Sequence, residues 1–223
     1  MPFSSFLESY GPSLAAFGVF ALFHSVCARE PFKNGLTRIT GIYFVDHFWR
    51  LIYCALSYGA LYYGVSALHW ARNPENDFWI IIYPDWLWQT VTGLHLLSVV
   101  FMYAAFIQSD YLEFWGVKQA WRGVKALFGG KTVSESRLFG THRLETRGIY
   151  GWVRHPMLSA GLMFLVTSGP SLNNIVYTLM YTAYMLIGGY YEERRLLRIF
   201  SEEYHNYQQN VGAFFPRLRQ LIA

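Results

Sequence analysis

Residues 86–107 read WLWQTVTGLHLLSVVFMYAAFI and contain no aspartate, glutamate, lysine or arginine. A helix that crosses the hydrocarbon core of a bilayer needs about 20 mostly apolar residues. Residues 11–28 and 51–70 are two further runs without a formal charge. The three runs predict three membrane-spanning helices, and the rest of the chain is interpreted around them.

The composition also favours a membrane protein. Only 14% of the 223 residues are charged, whereas 53% are hydrophobic and 19% are aromatic. Soluble domains carry about 25% charged residues. The net charge of +4 comes from basic residues in short segments between apolar runs, so we expect no nucleic-acid partner. Cys27 and Cys54 lie in or beside apolar runs without metal-ligand spacing, and we predict no metal site.

Two shorter apolar runs, 156–170 and 175–191, complete the pattern. The residues between and beside them, Gly169, Pro170 and the pair Asn173-Asn174, are turn formers and predict a helical hairpin. The expected fold is therefore an all-α polytopic membrane helical bundle with about five transmembrane helices, including this C-terminal hairpin. No repeat or linker interrupts the sequence, so we expect residues 1–223 to form a single domain.

Charge bias between the runs predicts the orientation, because basic loops stay in the cytoplasm. The segment 108–155 and the tail are strongly basic, whereas the segment 71–85 carries Arg72 against Glu75, Asp77 and Asp85. We therefore expect a multi-pass integral membrane protein whose N-terminus lies outside and whose C-terminus lies in the cytoplasm.

Two amphipathic helices are expected on the cytoplasmic side. The first follows the third run, and its apolar residues recur every three or four positions: Phe114, Val117, Trp121, Val124 and Phe128. This stripe fits either a helix lying in the membrane interface or a helix packed against the bundle. The second has the stripe Leu196, Phe200, Tyr204, Tyr207 and Val211.

The predicted hairpin brings two charged segments together. Arg154-His155-Pro156 opens its first arm, and Glu192-Glu193-Arg194-Arg195 closes its second. Ionisable groups at the edge of an apolar bundle are functional candidates. Anchoring of helix ends by snorkelling side chains is the alternative. If Arg154 instead serves a site, we expect Arg154→Leu to leave stability nearly unchanged, because an arginine at an interface can snorkel. The glycine-rich stretch 147–151 immediately before these residues favours a site.

The motifs TRGIYGWVRHPM (146–157), EERRL (192–196), EEY (202–204) and FFP (214–216) resemble those of the integral-membrane methyltransferases. Isoprenylcysteine carboxyl methyltransferase and the phospholipid methyltransferases belong to that family. A narrower resemblance covers nearly the whole chain. His24-Ser25, Arg50 with Tyr53, and DYLEFWGVKQ (110–119) are similar to the subgroup of methanethiol S-methyltransferases and nurim.

The resemblance implies that about residues 140–216 enclose S-adenosyl-L-methionine from the cytoplasmic side. An arginine fork could pair with the cofactor's carboxylate, and a glutamate could accept from its ribose hydroxyls or ammonium. The expected cofactor-binding residues are Arg147, Gly148, Tyr150, Arg154, His155, Pro156, Tyr190, Glu192 and Glu193. Arg154 and His155 are also the catalytic candidates, since His155 could hydrogen-bond the cofactor or serve as the base for an incoming thiol.

The methyl acceptor is expected to be a small thiol such as methanethiol, with His24, Arg50 and His95 as candidate acceptor-binding residues. A prenylcysteine or phospholipid is the alternative acceptor, and a non-enzymatic membrane protein similar to nurim is a further alternative. Many members of the wider family have His-Pro-x-Tyr-x-Gly, whereas Leu158 and Ala160 stand here in place of the Tyr and Gly. That departure weighs against prenylcysteine and phospholipid acceptors. The expected partners are the lipid bilayer and this acceptor.

Overall fold

The computed structural model describes residues 3–70, 81–129 and 144–217, and the side chains of these residues except 64–70. Within these ranges the regular elements are helices, and one isolated parallel bridge joins Val153 to Gly212. The all-α prediction is confirmed for this part of the chain. Arg72, Glu75 and Asp77, on which the predicted orientation partly rests, lie outside the described residues.

The first of two compact units comprises Met1–Asn73 and Tyr111–Thr141. Its helices are α1 (Phe3–Cys27), α2 (Glu30–Thr40), α3 (Ile42–Phe44), a π-helical turn (Val45–Trp49), α4 (Arg50–Trp70), α6 (Tyr111–Phe114) and α7 (Val117–Leu127). Helices α1 and α4 pack along each other, and the Tyr53 hydroxyl on α4 lies 2.8 Å from Nδ1 of His24 on α1. At the end of α1, Cys27 packs against Val45 and Trp49.

The second unit comprises Pro74–Asp110 and His142–Ala223. Its helices are α5 (Asp85–Gln108), a 3-10 turn (Gly148–Gly151), α8 (Pro156–Thr167) and α9 (Leu172–Asn210). Helix α8 packs against both α5 and α9. The side-chain amide of Asn174 donates to the carbonyls of Leu165 (2.7 Å) and Gly169 (2.6 Å). The Leu165 carbonyl also accepts from the Ser168 amide at the end of α8, and the bonds from Asn174 hold α9 close after a short connection.

Among the described residues, two helices are long and apolar enough to cross a membrane by length and composition: Phe3–Ala28 and Asp85–Gln108. Only 17% and 11% of their most apolar windows are buried inside the protein. A soluble protein would bury such helices in its core, because exposed apolar surface is unfavourable in water. A lipid phase accounts for this exposure and indicates a membrane protein. Helix α8 is shorter, at 12 residues, and the predicted count of five spans and the membrane-crossing hairpin remain predictions.

Helix α9 contains one break, at Ser201, whose φ of 46° and ψ of −116° are not helical. Residues fifteen positions apart in a straight helix are separated by about 22 Å. Across the break, however, the Gln208 side-chain amide donates to Glu193 Oε2 at 3.0 Å. The chain therefore turns back on itself at Ser201. We call residues 208–215, which follow this reversal and pass beside the start of α8, the C-terminal return.

The break generates a prediction, because a positive φ is unfavourable for a residue with a Cβ atom and is readily adopted by glycine. Ser201→Gly should stabilise the protein by roughly 1 kcal/mol. The control is Glu202→Gly at the neighbouring position, where glycine should destabilise the helix by about 1 kcal/mol. Melting temperatures in detergent would measure both. A loss of stability of equal size in the two variants would contradict the break at Ser201.

Candidate functional site

One carboxylate, that of Glu193, joins the start of α8, α9 and the C-terminal return. Its Oε1 accepts from Arg154 Nε (2.9 Å), from Arg154 Nη2 (2.5 Å) and from His155 Nε2 (3.2 Å). Its Oε2 accepts from Gln208. The predicted proximity of the Arg154-His155 and Glu192-Glu193 segments is therefore present in the structure, and Glu193 is its centre.

The Arg154 guanidinium is held entirely within the protein. Besides Glu193, it donates through Nη1 to the backbone carbonyls of Gln208 and Val211. Its side chain is 8% exposed. The expectation that Arg154 snorkels at an interface is therefore wrong, and its fork is already used by Glu193 and the C-terminal return.

Both ring nitrogens of His155 face carboxylates. Nε2 donates to Glu193, and Nδ1 lies 3.5 Å from Glu192 Oε2. Burial by itself lowers the pKa of His155, but hydrogen bonds and charge from Glu192 and Glu193 outweigh it and raise this pKa to about 9. Burial likewise raises the pKa of Glu193, whereas His155 and Arg154 bring it down to about 2. At neutral pH His155 is thus a cation with both nitrogens protonated, and it has no lone pair with which to act as a base.

The C-terminal return fixes the position of His155 from the other side. The backbone amides of Arg154 and His155 donate to the carbonyls of Gly212 (2.8 Å) and Ala213 (3.0 Å). The ring of Phe214 lies 5.3 Å from the His155 ring, centroid to centroid. Ser159 Oγ is 2.9 Å from the Phe214 carbonyl. Pro156 is fully buried at the first turn of α8, so the imidazolium is held in place by its backbone as well as by its partners.

The glycine-rich stretch forms the 3-10 turn, and Gln108 at the end of α5 holds it. The Gln108 side chain donates to the Arg147 carbonyl (2.5 Å) and accepts from the Ile149 amide (3.1 Å). Gly148 has a φ of +56°, and a Cβ atom there would lie 2.5 Å from Gln108 Oε1. Glycine is therefore required at position 148. The backbone carbonyl of Tyr150 in turn accepts from the Tyr207 hydroxyl at 2.5 Å.

Several polar and aromatic groups of the second unit remain open to a ligand. The Glu192 side chain is 54% exposed, and Arg147 is exposed and makes no ion pair with the described residues. Burial and the charges of Glu192 and Glu145 raise the pKa of Tyr150, which places this phenol near Glu192. The rings of Trp152 and Tyr190 are also exposed. The Arg194 guanidinium lies over the Tyr190 ring, 5.2 Å from its centroid.

The three candidate acceptor residues are divided between the two units. His24 is bound to Tyr53 in the first unit, where Arg50 Nε also donates to the Phe114 carbonyl at 2.8 Å. His95 lies in the second unit, with Nδ1 3.1 Å from Thr167 Oγ1. Thr167 is the last residue of α8, about 17 Å along the helix from Pro156. His95 therefore does not belong to the cluster around Glu193.

Four residues that shape the site were not predicted from the sequence: Gln108, Ser159, Gln208 and Phe214. Gln108 ends an apolar run and Ser159 lies inside another, where no local pattern distinguishes them. Gln208 and Phe214 reach the site because α9 breaks at Ser201. The FFP motif that contains Phe214 was the one available signal.

A family model described as NnrU protein matches residues 14–166. A methanethiol S-methyltransferase of Pseudomonas deceptionensis is 32% identical over 220 residues, which cover 91% of this chain and 71% of the relative. One of Mycobacterium tuberculosis is 29% identical over 215 residues, covering 92% and 77%. A protein-S-isoprenylcysteine O-methyltransferase of Tribolium castaneum is 34% identical over 79 residues, covering 34% and 28%. No solved structure matches.

The burial of Arg154 predicts that its removal destabilises the protein. Arg154→Leu leaves Glu193 with one cation fewer and three chain segments without their shared donor, so we expect a loss of about 3 kcal/mol. Arg194→Leu is the control, since an exposed guanidinium over Tyr190 contributes less than about 1 kcal/mol. Melting temperatures of both variants in detergent measure the difference. An Arg154→Leu variant that melts with the wild type would return Arg154 to the role of an interfacial anchor.

The charge state of His155 predicts a dependence of stability on pH. Its folded pKa of about 9 lies above the value of about 6.5 for an unfolded histidine. The stabilisation is therefore complete below pH 6.5 and is lost as the pH rises through 9, by at most about 3 kcal/mol. His155→Gln should be less stable than wild type at pH 6, and the gap should narrow towards pH 9.5. His205→Gln, at an exposed histidine, should leave the wild-type curve unchanged. A constant gap for His155→Gln would contradict the buried imidazolium.

Proposed function

The chain belongs to the NnrU protein family. From its similarity to named methanethiol S-methyltransferases, we propose that it is an S-adenosylmethionine-dependent membrane methyltransferase that S-methylates a small thiol such as methanethiol. The similarity to named methyltransferases over nine-tenths of the chain supports a membrane methyltransferase. One observation carries the assignment of the site. Glu193 is occupied by Arg154, His155 and Gln208, whereas the adjacent Glu192 is held by His155 and still exposes half of its side chain.

The open groups match the chemistry of S-adenosylmethionine, which presents a carboxylate, an ammonium, two ribose hydroxyls and an adenine. Glu192 can accept hydrogen bonds from hydroxyls or the ammonium. Arg147, whose fork is exposed, can bind the carboxylate in place of the occupied Arg154. The exposed ring of Trp152 offers a stacking surface for a base. The cofactor supplies a methyl group bonded to a positively charged sulfur.

The residues around Glu193 then have a positioning role. His155 cannot remove a proton from the acceptor, because both of its nitrogens already donate to carboxylates. It holds Glu192 in one orientation, and Arg154 holds Glu193 and the C-terminal return. We propose that the thiol loses its proton to solvent before it reacts. Methyl transfer to a thiolate requires alignment and exclusion of water and does not require a protein base.

The acceptor is the finer part of the proposal. A small thiol is favoured because the relatives named methanethiol S-methyltransferase match nine-tenths of this chain, whereas the isoprenylcysteine methyltransferase matches about a third. We further propose that residues 1–223 form a single domain with five spans. Its N-terminus would lie outside, and the cofactor-binding part, about residues 140–216, would face the cytoplasm. The membrane itself and the thiol would be its partners.

Glutamate-to-glutamine variants test the site. Glu192→Gln should weaken S-adenosylmethionine binding about 10- to 150-fold, because a charged acceptor is lost, and should lower the melting temperature less than Glu193→Gln does, because Glu193 still compensates Arg154 and His155. Glu193→Gln should lower both cofactor affinity and melting temperature. Glu202→Gln, at an exposed position of α9, is the control. Calorimetry of cofactor binding and thermal melts separate the three variants. Wild-type affinity in Glu192→Gln would refute the assignment of this carboxylate.

Turnover with a set of thiols tests the acceptor and the absence of a base. At saturating cofactor, the rate for each thiol should rise with pH in proportion to its thiolate fraction. A rise governed by one enzyme pKa, identical for every thiol, would contradict solvent deprotonation. Turnover of prenylcysteines or phospholipids in place of thiols would refute the small-thiol acceptor and leave the cofactor site standing.

A further inference from the structure

The face of helix α7 that packs against the protein is not its apolar face. Gln119 and Gly123 are the buried residues of this helix. A Cβ atom at Gly123 would lie 2.7 Å from His47 Cβ, and the Tyr43 hydroxyl donates to the Gly123 carbonyl at 2.6 Å. A small residue and a polar residue thus allow α7 to lie directly on the segment that contains the π-helical turn.

The apolar stripe points away from these contacts. At 100° per residue, Val117, Trp121 and Phe128 share a sector on the side opposite Gln119 and Gly123. Trp121 is 59% exposed and Phe128 is 86% exposed. Within its own unit, the side of α7 that carries Trp121 and Phe128 is therefore left exposed.

Positive charge borders this stripe. Lys118 and Lys125 lie beside it on the helix, and the Lys125 ammonium is 5.3 Å from the centroid of the Trp121 ring. Helix α7 contains no aspartate or glutamate. Arg122 is bound to Glu113 at 3.0 Å and so does not contribute a free cation. The exposed face therefore combines large apolar rings with basic side chains, which is the composition of helices that lie on anionic membranes.

The attachment of α7 within its unit places this face at the end of an apolar helix. The π-helical turn that contacts α7 also packs, through Val45 and Trp49, on Cys27, the last residue of α1. Helix α1 is long and apolar enough to cross a membrane. At the N-terminus of α7, the chain also lies close to the start of α4: a Cβ atom on Gly116 would lie 2.6 Å from the Leu51 amide nitrogen. Helix α7 is thus fixed where α1 would leave the hydrocarbon layer.

We propose that the exposed face of α7, formed by Val117, Trp121, Lys125 and Phe128, binds the surface of a bilayer that contains anionic lipids. The rings of Trp121 and Phe128 lie among the headgroups, where amphipathic aromatic residues are favoured. Lys125 binds the lipid phosphates and contributes about five-fold to the preference for an anionic lipid. The proposal does not depend on the reaction that the protein catalyses.

Quenching of tryptophan fluorescence by brominated lipids tests the proposal on the full chain. The protein is placed in nanodiscs of phosphatidylcholine and phosphatidylglycerol, with one or the other lipid brominated on its acyl chains. The contribution of Trp121 is the difference between wild type and Trp121→Phe. We expect brominated phosphatidylglycerol to quench this contribution more than brominated phosphatidylcholine does, and high salt to reduce the preference. Lys125→Gln should lower this preference about five-fold.

Two matched variants serve as controls. Trp152→Phe removes an exposed tryptophan of the second unit, and Arg198→Gln removes an exposed charge of α9; both should leave the Trp121 contribution and its lipid preference unchanged. An unquenched Trp121 would overturn the proposal and leave the face for a protein partner. Equal quenching by the two lipids, or a preference that Arg198→Gln lowers as much as Lys125→Gln does, would overturn the role of Lys125.

Discussion

The carboxylate of Glu193 must be compensated where it lies, between the start of α8 and the C-terminal return. An unpaired charge in such a place costs several kcal/mol. Arg154, His155 and Gln208 supply the compensation. Arg154 and His155 reach this carboxylate from the start of α8, and Gln208 reaches it from the C-terminal return. The need for compensation therefore also fixes the backbone geometry of these segments. The start of α8, the break at Ser201 and the return of residues 208–215 are three parts of one solution to that electrostatic problem.

The same requirement separates two neighbouring glutamates into two roles. Glu193 faces the buried cations and has its pKa brought down to about 2, so it is a fixed negative charge at every physiological pH. Glu192 is its neighbour on the helix and shares His155 with it, but its side chain reaches the exposed side of the cluster. One carboxylate therefore maintains the structure, and the other remains available to a ligand.

The sequence predicted the helices that form the site more successfully than the contacts between their side chains. The apolar runs and the turn formers at 169–174 predicted helices α8 and α9, and their closeness brought His155 to Glu192 and Glu193 as expected. The partners of Arg154 at 208–213 were not predicted, because they depend on a reversal at Ser201 that no residue pattern marks. On α7 the apolar stripe was recognised, but its direction could not be, since packing there is decided by the small Gly123. The partners of Arg154 and the orientation of α7 both depend on contacts between single residues that are far apart in the sequence.

The C-terminal return also determines the order in which the site can form during synthesis. Arg154 and His155 leave the ribosome more than fifty residues before Gln208 and the carbonyls of 211–213 that bind them. Translation at 5–20 residues per second separates the two events by seconds. Once Glu193 has followed, it can pair with the start of α8, but the backbone bridge at Val153 and Gly212 does not yet exist. Helices α8 and α9 can therefore come together before the charge cluster around Glu193 is complete. The C-terminal return, residues 208–215, then completes this cluster and packs beside His155.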